Sequence, residues 1–150
     1  MKKSIFRMLF SLIVIALIAG CSDDDSTNPD NSGNLGNLVG TWNATEFTYT
    51  SNANPSDQYD FLSTGVSVVF KVESNGDYTV TIGITGFPPT SFSGNLNADS
   101  NGDIEIDDDP DIQVTVTSTT LTIVDPNESW DFDEDGTDEP ATLRQVYTKQ

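Results

Sequence analysis

From Leu38 onward the apolar residues recur with period two, and no i, i+3, i+4 stripe of useful length interrupts them, so the chain reads as a series of β-strands. Val66, Val68, Phe70 and Val72 alternate with Ser67, Val69 and Lys71, and Tyr78, Val80, Ile82 and Ile84 alternate with Thr79, Thr81 and Gly83. Between these runs lies Glu73-Ser74-Asn75-Gly76-Asp77, whose Asn-Gly pair predicts a hairpin because both residues tolerate positive φ. Further runs carry Phe92 and Leu96, Ile104 and Ile106, Ile112, Val114 and Val116, then Leu121 and Ile123, each bounded by Asn, Gly, Asp or Pro. Turns are expected at Ala98–Asp103 and at Asp107–Pro110. With an opening run over 39–50 and a last run over 142–148, about eight strands are expected. Short sequential turns favour an all-β, up-and-down antiparallel meander closing into a barrel, which removes exposed edges; a β-sandwich is the alternative.

Ahead of the strands the pattern changes twice. Residues 1–20 hold a basic start (Lys2, Lys3, Arg7) and an apolar run from Met8 to Ala19 broken only by Ser11, too short for an ordinary membrane span and laid out like a secretory signal. Ile18-Ala19-Gly20-Cys21 resembles the lipobox of bacterial lipoproteins. That resemblance implies cleavage before Cys21, acylation of Cys21 and anchoring to a membrane, with several acyl chains holding stably where one holds marginally. Ser22 after the cysteine argues against the inner-membrane retention signal of such proteins, and Cys21-Ser22-Asp23-Asp24-Asp25 resembles the acidic export signal of surface-exposed lipoproteins. The expected address is therefore the outer membrane, facing outward. Residues 21–37, the acylated cysteine and a run of Asp, Asn, Ser, Gly, Thr and Pro, form a flexible acidic tether reaching on the order of 20 Å. The expected organisation is thus signal peptide 1–20, tether 21–37 and β domain 38–150.

Charge narrows the function. The chain carries 24 acidic residues against 6 basic ones and no His, a net charge of −18. All three leader bases precede Cys21, so the remainder holds 24 acids and three bases, a net of −21. Such a surface repels phosphate backbones and excludes nucleic acid as a partner. The absence of His removes triads and imidazole-ligated metals, and the single Cys removes internal disulfides and thiolate zinc sites.

Leu38-Val39-Gly40-Thr41-Trp42 resembles the Gly-x-Trp opening of lipocalins and of lipocalin-like domains in bacterial lipoproteins. The Phe70–Tyr78 hairpin, Ser93-Gly94, the Thr120–Ile123 run and the Tyr147-Thr148-Lys149 end fit the same pattern. The resemblance implies a barrel in which Trp42 packs at the closed end under Arg144, although the usual lipocalin helix after the last strand is missing; otherwise Trp42 is simply a large core aromatic.

Candidate chemistry concentrates in Asp131-Phe132-Asp133-Glu134-Asp135-Gly136-Thr137-Asp138-Glu139, six carboxylates in nine residues. Oxygen ligands at the first, third and fifth positions followed by Gly at the sixth match the start of a calcium loop. Asp131, Asp133 and Asp135 would supply carboxylates, Thr137 its carbonyl, and Glu139 would stand at the position that often serves through water. The twelfth position is Thr142 rather than a bidentate Glu, so Ca2+ affinity would fall near ~10⁻⁴–10⁻³ M, and a solvated acidic loop is the alternative. Asp107–Asp109 with Asp111 is a weaker cluster of the same kind. No Gly-x-Ser-x-Gly, base partner or phosphate loop is present, so a non-enzyme is expected. Two functions remain: a barrel binding a small neutral hydrophobic ligand, or a structural or protein-interaction module of the cell surface with a filled core and a calcium-stabilised loop. A monomer is the default. Phe87-Pro88-Pro89 is expected as a loop packed on itself, with an exposed apolar lip as the other reading.

Overall fold

The computed structural model describes residues 35–99 and 102–150. The signal peptide, Cys21 and the tether as far as residue 34 lie outside the described residues, as do Ser100 and Asn101 of one expected turn. Among the described residues nine strands form: β1 (Gly40–Ser51), β2 (Gln58–Asp60), β3 (Val66–Val72), β4 (Asp77–Ile84), β5 (Thr90–Ala98), β6 (Ile104–Ile106), β7 (Gln113–Val116), β8 (Thr120–Trp130) and β9 (Glu139–Lys149). All pairings are antiparallel, in the order β6-β5-β4-β3-β1-β9-β8-β7. The expected all-β meander is therefore present as an eight-strand barrel that is nearly closed. The first and last long strands are hydrogen-bonded neighbours, from Trp42 opposite Lys149 to Ser51 opposite Ala141. The one unsealed seam lies inside the chain, between the two shortest barrel strands, β6 and β7.

β2 extends the expected strand set. It pairs Tyr49 with Tyr59 along the half of β1 that β3 does not reach. A 3-10 turn at Leu62–Thr64 and Gly65, with φ of 84°, then deliver the chain into β3. Gln58-Tyr59-Asp60 is too short and too polar to show an alternation.

Two β-bulges keep long strands in phase with the curved wall. On β1 the pairing jumps between Ala44 and Glu46, so Trp42 points inward before the bulge and Phe47, Tyr49 and Ser51 point inward after it. On β8 the jump falls between Asp125 and Glu128. The β3–β4 hairpin differs from the expected turn: Gly76 is left-handed at φ 92° but Asn75 is not. Glu73 N–H bonds the Asp77 carbonyl at 2.8 Å and Gly76 N–H the Glu73 carbonyl at 3.1 Å, a three-residue loop ending in a glycine bulge. Asn75 instead accepts from the Asp77 N–H through its side chain, at 3.1 Å.

The interior is aromatic. Trp42, Leu38, Tyr147, Leu121 and Val72 are fully buried near one end. Phe70 stacks on Tyr78 with centroids 5.0 Å apart and tilts against Tyr147 at 5.6 Å, joining β4, β3 and β9 over the intervening β1. Toward the other end Phe47 packs on Phe61 at 5.2 Å, and Trp130 lies between Tyr49 at 4.8 Å and Tyr59 at 4.2 Å. Of the expected inward residues, Val68, Phe70, Val72 and Leu96 are buried; Val66, Tyr78, Val80, Ile82, Ile112, Val114 and Val116 are half-buried against them. Ile84 and Phe92 are half-buried but stand outside this cluster. Phe87 in the β4–β5 hairpin is 71% exposed rather than packed on its own loop.

Candidate functional site

Residues 131–138 connect β8 to β9, and Trp130 pairs with Glu139 at the base of the loop. The turn is built from the carboxylates of the acidic run. Asp131 Oδ2 accepts the Gly136 N–H at 3.0 Å, Asp133 Oδ1 the Asp135 N–H at 3.1 Å, Asp135 Oδ1 the Thr137 N–H at 2.7 Å, and Glu139 Oε2 the Phe132 N–H at 2.8 Å. Gly136, at φ 96°, and Glu134, at φ 59°, take the left-handed positions that wrap the chain. One oxygen from each of Asp131, Asp133, Asp135 and Glu139 falls within 4.8 Å of the others. Ligands at 2.3–2.6 Å on opposite sides of a Ca2+ ion stand about 5 Å apart, so this spread is that of one coordination sphere.

A second observation bears on the fit. Asp131 Oδ1 is buried and has no hydrogen-bond partner among the described residues, whereas the other oxygen of the same carboxylate is satisfied by Gly136. A desolvated, unpartnered carboxylate oxygen is costly, and a cation removes that cost. The residues present therefore suit a hard cation with oxygen ligands. Thr137 enters the loop through its N–H, and Thr142 turns away to donate to Asn52 Oδ1 at 2.8 Å, consistent with the missing twelfth-position ligand.

The weaker acidic cluster serves a different purpose. Asp107 and Asp108 have φ of 52° and 62°, as in a tight type I′ turn, and the Asp109 N–H closes it on the Ile106 carbonyl at 3.0 Å. Asp107 then accepts from Tyr78 Oη at 2.6 Å and from the Asn95 N–H at 2.8 Å, tying the turn to β4 and β5. Gly94 makes this possible: a Cβ there would stand 2.3 Å from Asp107 Oδ1 and 2.5 Å from Tyr78 Oη. An open depression of about 610 Å³ borders this lock and is rimmed by Glu73, Asp77 and Asp107.

The expected Trp42–Arg144 pair is not formed. Lys149 takes that place, its Nζ 4.9 Å from the Trp42 ring centroid and 2.9 Å from the Asn37 carbonyl. Trp42 Nε1 donates to the Leu38 carbonyl at 2.7 Å. The reason is strand parity. Along β9 the odd positions Ala141, Leu143 and Tyr147 face the core, whereas Arg144 is exposed and paired with Glu46 on the outer surface. Lys149 shares the inward parity and sits opposite Trp42 in register. Continuing the alternation two residues past Tyr147 would have found it.

Sequence reasoning takes Glu128 for an ordinary solvated strand carboxylate and does not single out Asp125. The β8 bulge turns Glu128 to the same wall as Ala141, its register partner, while Asp125 opposes Leu143. Burial, reinforced by repulsion from Asp125, pushes the Glu128 carboxyl above the usual carboxylate range. Neither residue is in an ion pair among the described residues, where the salt bridges join Lys71 to Glu73 and Arg144 to Glu46. A bulge carries no sequence signal beyond the Pro126 that accompanies it here. Cys21 lies outside the described residues. No family model, no curated protein and no solved structure matches this chain.

Proposed function

We propose that the chain is a membrane-anchored lipoprotein of the bacterial outer surface. In this reading the barrel is a structural or protein-interaction module with a filled core, steadied by a calcium-binding β8–β9 loop, and it has no catalytic role. The observation that carries the reading is the aromatic interior, in which Phe70 of β3 meets Tyr147 of β9 over the intervening β1 and Trp130 is held between Tyr49 and Tyr59. Such side chains occupy the space that a small hydrophobic ligand would need. The anchor rests on the lipobox resemblance at Cys21, and the calcium loop on the converging carboxylates with their unpartnered Asp131 oxygen.

Three measurements test it. Expressed in a Gram-negative host fed labelled palmitate, the chain takes up label and Cys21→Ala does not. Intact-mass measurement under non-denaturing conditions finds the chain without co-purified lipid; a stoichiometric apolar ligand would refute the filled core. Millimolar Ca2+ raises the melting temperature of the wild type, and Asp133→Ala/Asp135→Ala abolishes the rise; an unchanged melting curve would dismiss the loop site.

A further inference from the structure

The unsealed seam has two unlike rims. On the β5 side, Asn95 turns both backbone groups toward β6, its N–H donating to Asp107 Oδ1 at 2.8 Å and its carbonyl accepting the Asp107 N–H at 2.9 Å. Strand alternation turns the N–H and carbonyl groups of Ser93 and Ser91 the same way. Short hydroxyl contacts agree with this phase: Thr81 meets Ser91 at 2.9 Å and Thr79 meets Ser93 at 3.3 Å, as side chains do at pairs that share no ladder bonds. β6 pairs with β5 only from Leu96 to Ala98, so Thr90–Gly94 is an edge without a strand partner among the described residues. It extends about 16 Å and carries neither charge nor proline.

The facing rim is blunted by three devices that guard edges: Pro126, a bulge, and the charges of Asp125 and Glu128. Those carboxylates lie on the inward phase of β8 with no cation among the described residues to meet them. Lys71 and Arg144 are engaged elsewhere, and Lys149 sits on Asn37 and Trp42. At the mouth of the seam, Phe87 on the hairpin feeding β5 offers an exposed apolar anchor.

We propose that the seam receives an extended cationic segment of a partner protein, which adds to β5 as a strand and sets Lys or Arg side chains against Asp125 and Glu128. Backbone pairing with Ser91 and Ser93 supplies affinity, and the two carboxylates select the sign of the charge. Pairing with a second copy through the same edge would bring together two chains of net charge −18. The inference rests on the interaction-module reading and gives it a class of partner.

The test uses the full chain in mild detergent and a fluorescein-labelled nonapeptide alternating Lys with Val and Thr, followed by anisotropy. Two control peptides replace Lys by Glu, or keep the Lys residues and place Pro at every third position. Binding of the Lys peptide is expected, weakened tenfold or more in both controls and further weakened by salt. Ser91→Pro deletes an N–H that faces the seam, and Asp125→Asn/Glu128→Gln removes the charges that the Lys side chains meet. Each is expected to weaken binding at least tenfold, and the paired amide variant keeps the shape of both side chains should the proline variant fold poorly. Absence of binding, equal binding of the proline peptide, or unchanged binding by Asp125→Asn/Glu128→Gln would overturn the proposal. So would a dimer in sedimentation that Ser91→Pro converts to monomer. The lipid and palmitate measurements stand independently, so either reading can fail alone.

Discussion

Replacing Gly94 by alanine tests the lock that ties the β6–β7 turn to the barrel. The added Cβ would stand 2.3 Å from Asp107 Oδ1, 2.5 Å from Tyr78 Oη and 2.6 Å from Tyr78 Cζ, and none of these contacts is tolerable. The Tyr78 ring cannot retreat inward, because it lies against Phe70 at 5.0 Å and Phe70 is held in turn by Tyr147. Asp107 therefore moves outward and gives up both its bonds, to Tyr78 Oη and to the Asn95 N–H. Each is a partly exposed bond to an ionised acceptor, worth about 1 kcal/mol, and residual crowding adds about 1–2 kcal/mol. The expected cost is about 3–4 kcal/mol, or on the order of 10 °C in melting temperature for a domain of this size. Urea unfolding followed by circular dichroism measures it in Gly94→Ala, Asp107→Ala and the double variant. With Asp107 already gone, the alanine has less to displace, so the double variant should cost clearly less than the sum of the singles. Strict additivity, or a Gly94→Ala cost below about 0.5 kcal/mol, would refute the reasoning.

Burial holds the phenols of Tyr49, Tyr78 and Tyr147 well above the ordinary tyrosine range, with Asp107 adding to the effect at Tyr78, and Tyr59 shifts in the same direction. Above pH 10 the unfolded chain loses these protons while the folded one keeps them, so stability is full below that pH and falls as pH rises. Phenolate absorbance at alkaline pH should rise together with loss of tertiary circular dichroism; ionisation near pH 10 with the fold intact would contradict it. Lys149→Ala, losing the Trp42 and Asn37 contacts, should cost about 1–2 kcal/mol, whereas Arg144→Ala, losing an exposed pair with Glu46, should cost less than about 1 kcal/mol. The reverse order by thermal unfolding would restore Arg144 as the Trp42 partner. Glu128→Gln removes a carboxylate that folding holds too basic, so it should stabilise the protein at neutral pH. The gain should vanish as pH falls below the ordinary carboxylate range, and a pH-independent difference between the two proteins would contradict the assignment.

Strand identity was legible wherever one face of the sheet is apolar. The alternation at Val66–Val72 and Tyr78–Ile84 gives both strands and their pairing, because a one-residue slip would expose Val68 and Phe70. The acidic loop at 131–139 was legible for a different reason: its turn is made by the side chains themselves, so the spacing of Asp131, Asp133 and Asp135 is the geometry. What stayed hidden depends on phase and on distant register. The bulges at Ala44/Glu46 and Asp125/Glu128 shift which residues face inward without altering the composition of the strand. The cation over Trp42 follows from β9 pairing antiparallel with β1, which brings together residues more than a hundred positions apart. Choosing Arg144 by analogy ignored the parity that places it outside.

The position of the seam is itself written in the sequence. Extending β6 beyond Ile106 in register would set Asp107 opposite Asn95, Asp108 opposite Gly94 and Asp109 opposite Ser93. That strand would offer successive carboxylates and then Pro110, which has no N–H to give, so the ladder gains little and gathers charge. The chain instead reverses at Asp107-Asp108, where Asp, like Asn, accepts left-handed φ more readily than most residues, and Asp111 reaches across to accept from the Asn127 side chain at 3.0 Å. Asp107 still caps the last paired position of β5, so β5 is partnered up to Asn95 and bare above it. Because β1 and β9 already close the sheet at the ends of the chain, the opening falls in the interior of the sequence. There a single acidic turn decides both where pairing stops and which stretch of β5 is left bare.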